Sequence, residues 1–309
     1  MNTPLVSVVI ETITARFDST TGSLANDLAG TLAAVEQQTY PRDRVETIVV
    51  IDDEVPSAAV DELRRRYPHV KLASSRTSNY FDAKNAGASV STGDVIALLD
   101  GDCVPSPDWL ELLLSRIETG VDAVAGCTRY EGRSVKARTF SVPDFAYVVD
   151  DEDGASGFNI NNVAFRRDVL LAHPFDTRIR RNGGCFFLFH QLRAAGARIV
   201  YEPRAVVAHG LDIAGLGFIR KHFERGYDGV MVYRLDDRAV LRGTRYFRRA
   251  GPLALIALYA RRVVVDWVRM LRNRRQIGIR SYALPYFGAV TAMTRSIELA
   301  GALTAARKK

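Results

Sequence analysis

Two aspartates one residue apart, Asp100 and Asp102, close an apolar run in LLDGDC at residues 98–103. Carboxylates so close offer oxygen ligands to a hard divalent cation, which commonly joins one or two carboxylates to substrate phosphates. Such an ion stabilises the charge that grows on a departing phosphate, more in the transition state than in the ground state. A second pair, Asp52 and Asp53, follows the apolar run VETIVVI at residues 45–51. Asp is also an ordinary turn and cap residue, so spacing alone leaves a structural use open for both pairs. The elements that carry them decide.

The first half of the chain alternates short β-branched runs with helical patterns. LVSVVIET, VETIVVIDD, VKLAS, DVIALLD and DAVAGCT read as strands. Leu24, Leu28, Leu32 and Val35, spaced by four, four and three, read as one face of a helix. SAAVDELRRRYP, FDAKNAGASVS and PDWLELLLSRIE read as further helices. This alternation predicts an α/β fold with a mostly parallel sheet flanked by helices. In such sheets ligands sit outside the carboxyl ends of the strands. Asp52, Asp53, Asp100 and Asp102 all fall at such ends, so a shared site is expected.

Six segments strengthen this reading by their order. VSVVI, QQTYP, VVIDDEV, KNAGASVSTGDVIALLDGDC, NINNVAFRR and QLRAAGARIVYEPRAVVAH resemble, one after another, the motifs of the family 2 glycosyltransferases, over roughly residues 5–212. The resemblance implies the GT-A (Rossmann-like) fold and sugar transfer from a nucleoside-diphosphate-sugar donor to a glycan or lipid-linked acceptor. Inversion at the anomeric carbon and a role in cell-surface polysaccharide or glycolipid synthesis go with it. It further implies that Asp52, with Asp53 beside it, contacts the nucleobase. Asp100 and Asp102 would form the DxD motif, binding Mn2+ or Mg2+ and the diphosphate, and His209 would complete the metal site. Lys84 and Asn85 are expected at the diphosphate, and Asn161 and Asn162, with Asn159, in the acceptor-side segment. Helix capping by Asp52 or Asp53, a core role for His209, a solvated helix face for Lys84 and Asn85 and a turn for the asparagines stay open.

The departures carry information too. ETIT, with Glu11, stands where many members read PTYN, and DDEV stands for DDGS. In RRNGGCFFLFHQL the family's GED, which holds the catalytic base, falls on Gly183, Gly184 and Cys185. A base that takes the acceptor's hydroxyl proton contributes about 10²- to 10⁴-fold. The expected substitute lies in the cluster Asp150, Asp151, Glu152 and Asp153, with Asp151 and Asp153 the catalytic candidates, or at His190. A polyprenyl phosphate acceptor would arrive ionised and need no base. A sugar-nucleotide-binding protein with weak turnover is the remaining alternative, since fold does not guarantee activity.

Charge separates the chain into two regions. Its net charge is +7, yet residues 241–309 carry fifteen Lys or Arg against Asp266 and Glu298, a net +13, which leaves −6 on residues 1–240. An acidic body without a nucleic-acid-binding motif argues against nucleic acid, and a basic tail points to an anionic membrane surface. PLALIALYA and YALPYFGAVTAM fall short of the ~20 apolar residues a spanning helix needs. The expected division is therefore a catalytic domain over residues 1–215 and a basic, amphipathic helical appendage over 216–309. Three scattered cysteines, Cys103, Cys127 and Cys185, form no disulfide framework or CxxC site, and the N-terminus reads as a first strand rather than a signal peptide. A cytoplasmic protein, peripheral on the inner face of the cell membrane, is expected.

Overall fold

The computed structural model describes residues 5–17, 22–131, 150–151, 154–210, 215–275 and 279–308. In chain order the elements begin with β1 (Val6–Glu11), α1 (Ile13–Phe17), α2 (Leu24–Asp27), α3 (Ala29–Glu36), β2 (Val45–Ile51), α4 (Ser57–Arg66) and β3 (Lys71–Ser74). They continue with α5 (Tyr80–Val90), β4 (Val95–Asp100), β5 (Cys103–Pro105), α6 (Trp109–Ile117) and β6 (Ala123–Glu131). Next come β7 (Asp150–Asp151), β8 (Gly154–Ala155), β9 (Val163–Arg166), α7 (Arg167–Ala172), α8 (Gly184–Ala194) and β10 (Ile199–Gly210). The chain closes with α9 (Gly215–Leu235), α10 (Arg242–Ala250), α11 (Pro252–Asn273) and α12 (Leu284–Arg307).

Eight strands form one sheet in the order β3-β2-β1-β4-β9-β6-β10-β5. β3, β2, β1 and β4 are parallel, and these are the strands whose connections carry helices long enough to cross back over the sheet. β9 then enters antiparallel beside both β4 and β6, and β5 runs antiparallel to β10. The parallel alternation read from the sequence thus covers the first four strands, and the antiparallel entry of β9 and β5 makes the sheet mixed. Every residue of β1 and β4 is buried, as expected of central strands covered on both faces. Leu24, Leu28, Leu32 and Val35 join Val8, Ile10, Val49, Leu99 and Trp109 in one core. Their helix is broken at Leu28 into α2 and α3, with all four side chains still inward.

The chain divides into two compact units, and the division is not a single cut near residue 215. One unit takes the described residues up to Arg129, those up to Thr177 from β7 onward, and Ala195–Gly210. The other takes Arg178–Ala194 together with the helices after Gly210. In this second unit α9 and α12 approach so closely that a Cβ on Gly226 would lie 1.8 Å from the Glu298 carbonyl oxygen, and one on Gly301 2.0 Å from that of Phe223. Only glycine allows that contact. Beside it, Arg295 binds Asp266 at 2.7 Å and Glu298 at 2.5 Å, and His222 Nδ1 lies 3.0 Å from Glu298, all four groups being buried. Among the described residues no helix is long and apolar enough to cross a membrane.

Candidate active site

β1 and β4 run in parallel register with Glu11 opposite Asp100, so their carboxyl ends finish level. After Asp100 the chain turns at Gly101 and Asp102 into β5. A Cβ on Gly101 would lie 2.8 Å from both the Glu11 carbonyl oxygen and Leu28 Cδ2, so the turn needs glycine for its closeness to β1 and α2. β5 then pairs with β10, which sets His209 directly opposite Cys103. Two strand pairings therefore bring Asp100, Asp102, Cys103 and His209 together, and one ligand atom from each lies within 4.8 Å of all the others.

Asp100 is buried and held from beneath. Lys84 Nζ donates to its Oδ1 at 2.7 Å and to the Leu99 carbonyl at 2.6 Å, and the Tyr80 hydroxyl reaches its carboxylate oxygens at 2.7 and 2.8 Å. Burial alone would raise the Asp100 carboxyl, but Lys84, Tyr80 and His209 outweigh it and hold it below the ordinary value, so it stays ionised. Asp102 is the more open of the pair, its side chain 12% exposed, with His209 Nε2 at 3.7 Å from Oδ2. Burial, then the charges of Asp102 and Asp100, pushes the Cys103 thiol well up and keeps it protonated, so it is a poor metal ligand. Two carboxylates and an imidazole remain, a donor set that fits Mn2+ or Mg2+.

Glu11 is the neighbour that the motif reading took only as a departure. Its carboxylate accepts from the amides of Ile13, at 2.6 Å, and Thr14, at 3.1 Å, and so caps the start of α1. Burial first, and the Asp100 charge second, raises its pKa to about 7. A glutamate directly after the first strand was the available signal.

The other expected contacts divide. Asp52, at the end of β2, is buried, forms an ion pair with Arg16 and accepts the Glu54 amide at 2.9 Å, a turn rather than a helix cap. Burial, partly offset by the Glu54 amide and Arg16, raises its carboxyl. Asp53 is exposed beside it. Lys84 does not lie on a solvated helix face: it is wholly buried as the counterion of Asp100. Asn85 exchanges two hydrogen bonds with the Phe175 backbone, at 2.8 and 3.0 Å, and is used in packing α5. Asn162 is wholly buried, accepting from Trp109 Nε1 at 2.8 Å and donating to the Ala205 carbonyl at 3.0 Å. Both amides bond backbone groups in the ladders or loops around them. Asn161 accepts from Thr128 Oγ1 at 3.0 Å.

Of the candidate bases, Asp150 and Asp151 form β7, paired with Ala155 and Gly154 of β8, while Asp153 lies outside the described residues. His190 packs edge-on against Phe186 and Phe189. At the start of α8, where the acidic pair is replaced, Asn182 donates its backbone amide and its side-chain amide to Asp228 Oδ2 at 3.1 and 2.9 Å. Asp228 is buried, and burial raises its carboxyl against those hydrogen bonds.

Comparison with known proteins agrees with this geometry. Residues 19–171 match the model of glycosyl transferase family 2. The chain is 26% identical over 313 residues to glycosyltransferase AglE of Haloferax volcanii, covering 91% of this chain and 97% of that protein. It is 27% identical over 203 residues to the glucosyl-dolichyl phosphate glucuronosyltransferase of the same organism, covering 59% of this chain and 63% of that one. It is 32% identical over 192 residues to the succinoglycan biosynthesis protein ExoM of Rhizobium meliloti, covering 59% and 62%. The last two matches thus span less than two thirds of the relatives' own length. In three dimensions the chain superposes on a mannosyltransferase of Pyrobaculum calidifontis, solved with GDP-mannose and Mn2+, with a TM-score of 0.67 at 18% identity, covering 99% of this chain and 88% of that one. The family match spans the strands that build the carboxylate pair, and the fold match spans nearly the whole chain; this protein belongs to the family 2 glycosyltransferases and has the GT-A fold.

Proposed function

We propose that this glycosyltransferase moves a sugar from a nucleoside-diphosphate donor to a glycan or lipid-linked acceptor, with inversion, at the surface of an anionic membrane. The observation that carries the reading is the convergence of Asp100, Asp102 and His209 at the carboxyl end of the sheet, within 4.8 Å of one another. Asp102 and His209 would hold Mn2+ or Mg2+, with Asp100 alongside; the ion, when bound, offsets charge developing on the leaving diphosphate. Asp100 needs no reorganisation to take part, because Lys84 and Tyr80 already fix its carboxylate. Asp52 and Arg16, beyond the end of β2, offer an acceptor and a donor for the nucleoside. The relatives support an acceptor carried on lipid or growing polysaccharide, since one acts on a dolichyl phosphate-linked sugar and another belongs to succinoglycan synthesis.

The experiment is titration of nucleoside diphosphates and their sugars, with and without Mn2+, into the wild type and Asp102→Asn. Metal-dependent binding lost in the variant is the expected result. Equal affinity in both proteins, or binding indifferent to Mn2+, refutes the metal reading.

Deprotonation of the acceptor is assigned to the carboxylate cluster at Asp151 and Asp153. Asp228 is a second candidate, favoured by one observation: it is the buried carboxylate hydrogen-bonded to Asn182, immediately before Gly183, Gly184 and Cys185, where the usual acids are replaced.

A further inference from the structure

The outer face of α11 is apolar although it is exposed, while its inner face packs Leu255, Tyr259 and Met270 into the interior. Leu253, Ile256, Val264, Trp267, Val268 and Leu271 are all exposed, Leu253 at 71% and Val264 at 62%. At about 100° per residue these six fall within about a third of the helix circumference, a continuous apolar row. The inner face carries Asp266, buried against Arg295. A 22-residue helix thus buries one apolar face together with a carboxylate and leaves a second row of large apolar side chains outward. Such a face marks a surface that something covers.

Charge identifies the cover. The only two acids after residue 240, Asp266 and Glu298, are both buried on Arg295, and Asp266 also faces Arg269 at 4.0 Å, so this stretch has no exposed acid of its own to offset its other basic residues. Arg261 and Arg272 are exposed along one edge of the apolar row. An open pocket of about 480 Å³ at the start of α10, lined by Ala239, Val240, Arg245, Tyr246 and Arg249, presents two guanidiniums and no carboxylate. Trp267 donates its indole N–H to the Gly288 carbonyl at 3.1 Å, which fixes the ring while leaving it 45% exposed, and Tyr246, Tyr282 and Tyr286 are exposed nearby in sequence. An apolar row, aromatic rings with polar tips and unopposed arginines are what the boundary between lipid headgroups and acyl chains takes up. A second copy of this chain would instead bring like charge against like.

We infer that α11 lies in the interfacial layer of an anionic bilayer, its outer row among the upper acyl chains and its bordering arginines at the lipid phosphates. This deepens the membrane part of the proposed function by naming the inserted face, and it stands independently of the transfer reaction. The chain has two tryptophans, and Trp109 is wholly buried and bonded to Asn162, so a change in emission on adding vesicles reports Trp267.

The test uses the full chain with vesicles of phosphatidylcholine alone and of phosphatidylcholine with phosphatidylglycerol. With the anionic vesicles, Trp267 emission should move to the blue and be quenched by lipids brominated on their acyl chains. Val264→Glu with Leu271→Glu should lower vesicle partitioning at least ~10-fold, whereas Val90→Glu, on an exposed site of α5, should not change it. Nucleotide binding by each variant checks that it is folded. Wild-type partitioning by the double variant overturns the inference. So does absence of vesicle binding, or self-association abolished by the double variant with vesicle binding unchanged. Salt-reversible binding without a Trp267 shift overturns insertion while sparing electrostatic attachment, and neither result touches donor binding.

Discussion

At the scale of single residues the site rests on a buried charge pair. Lys84 and Asp100 have side chains 0% and 5% exposed, and removing one partner leaves the other charged in a low-dielectric interior. Lys84→Met should therefore cost about 3–5 kcal/mol in urea unfolding, and the same variant should weaken nucleotide binding by releasing Asp100. A cost near zero would mean that the ammonium is not the counterion of Asp100. The base is also decided here. Asn or Gln variants at Asp150, Asp151, Glu152, Asp153 and Asp228 should include one that lowers turnover by about 10²- to 10⁴-fold with donor affinity unchanged. The loss is expected at Asp151 or Asp153; a loss at Asp228 alone would move the role there, and activity within a few-fold in all five would leave His190 or an ionised phosphate acceptor.

At the scale of elements, close approach decides more than propensity does. α9 and α12 touch through Gly226 and Gly301, where a Cβ would meet backbone carbonyls at 1.8 and 2.0 Å. Backbone cannot swing aside as a side chain can, so Gly301→Ala should force the helices apart at a cost of about 1–3 kcal/mol. Chemical unfolding measures it, and an unchanged midpoint would show that the helices are not held at this separation. α11 illustrates the same dependence. Its apolar spacing is visible in the sequence, but only the structure shows that Leu255, Tyr259 and Met270, with Asp266 on Arg295, take the inner side and leave the other row exposed.

At the scale of the whole molecule, charge is distributed with a purpose in each unit. The helical unit uses Asp266 and Glu298 internally, and this makes its stability sensitive to acid. Glu298 is held at about 2: burial acts to raise it, but the His222 hydrogen bond and the Arg295 charge prevail. A carboxyl depressed in the folded state contributes stability above its unfolded value, near 4.5, and loses it as pH falls toward 2. The contribution is about 3 kcal/mol on that shift. Wild-type stability should therefore drop between those limits, and Glu298→Gln should be less stable at neutral pH with a flatter acid limb. Parallel acid limbs in the two proteins would remove Glu298 as the cause.

The motif order, the strand ends and the two carboxylate pairs were legible in the sequence because each depends on local pattern: β-branched runs, period and the residue at a strand's end. His209 was legible only through resemblance, since its place opposite Cys103 comes from the pairing of β5 with β10, strands far apart in the chain. Tertiary structure alone assigned Lys84 to Asp100, turned Asn85 and Asn162 to backbone groups, made Glu11 a neighbour of the site and set Asp228 against Asn182. It also joined residues 178–194 to the C-terminal helices. The physical reason is common to all of these. A side chain's type states what it can bond, whereas burial and the unsatisfied groups around it decide which bond it makes.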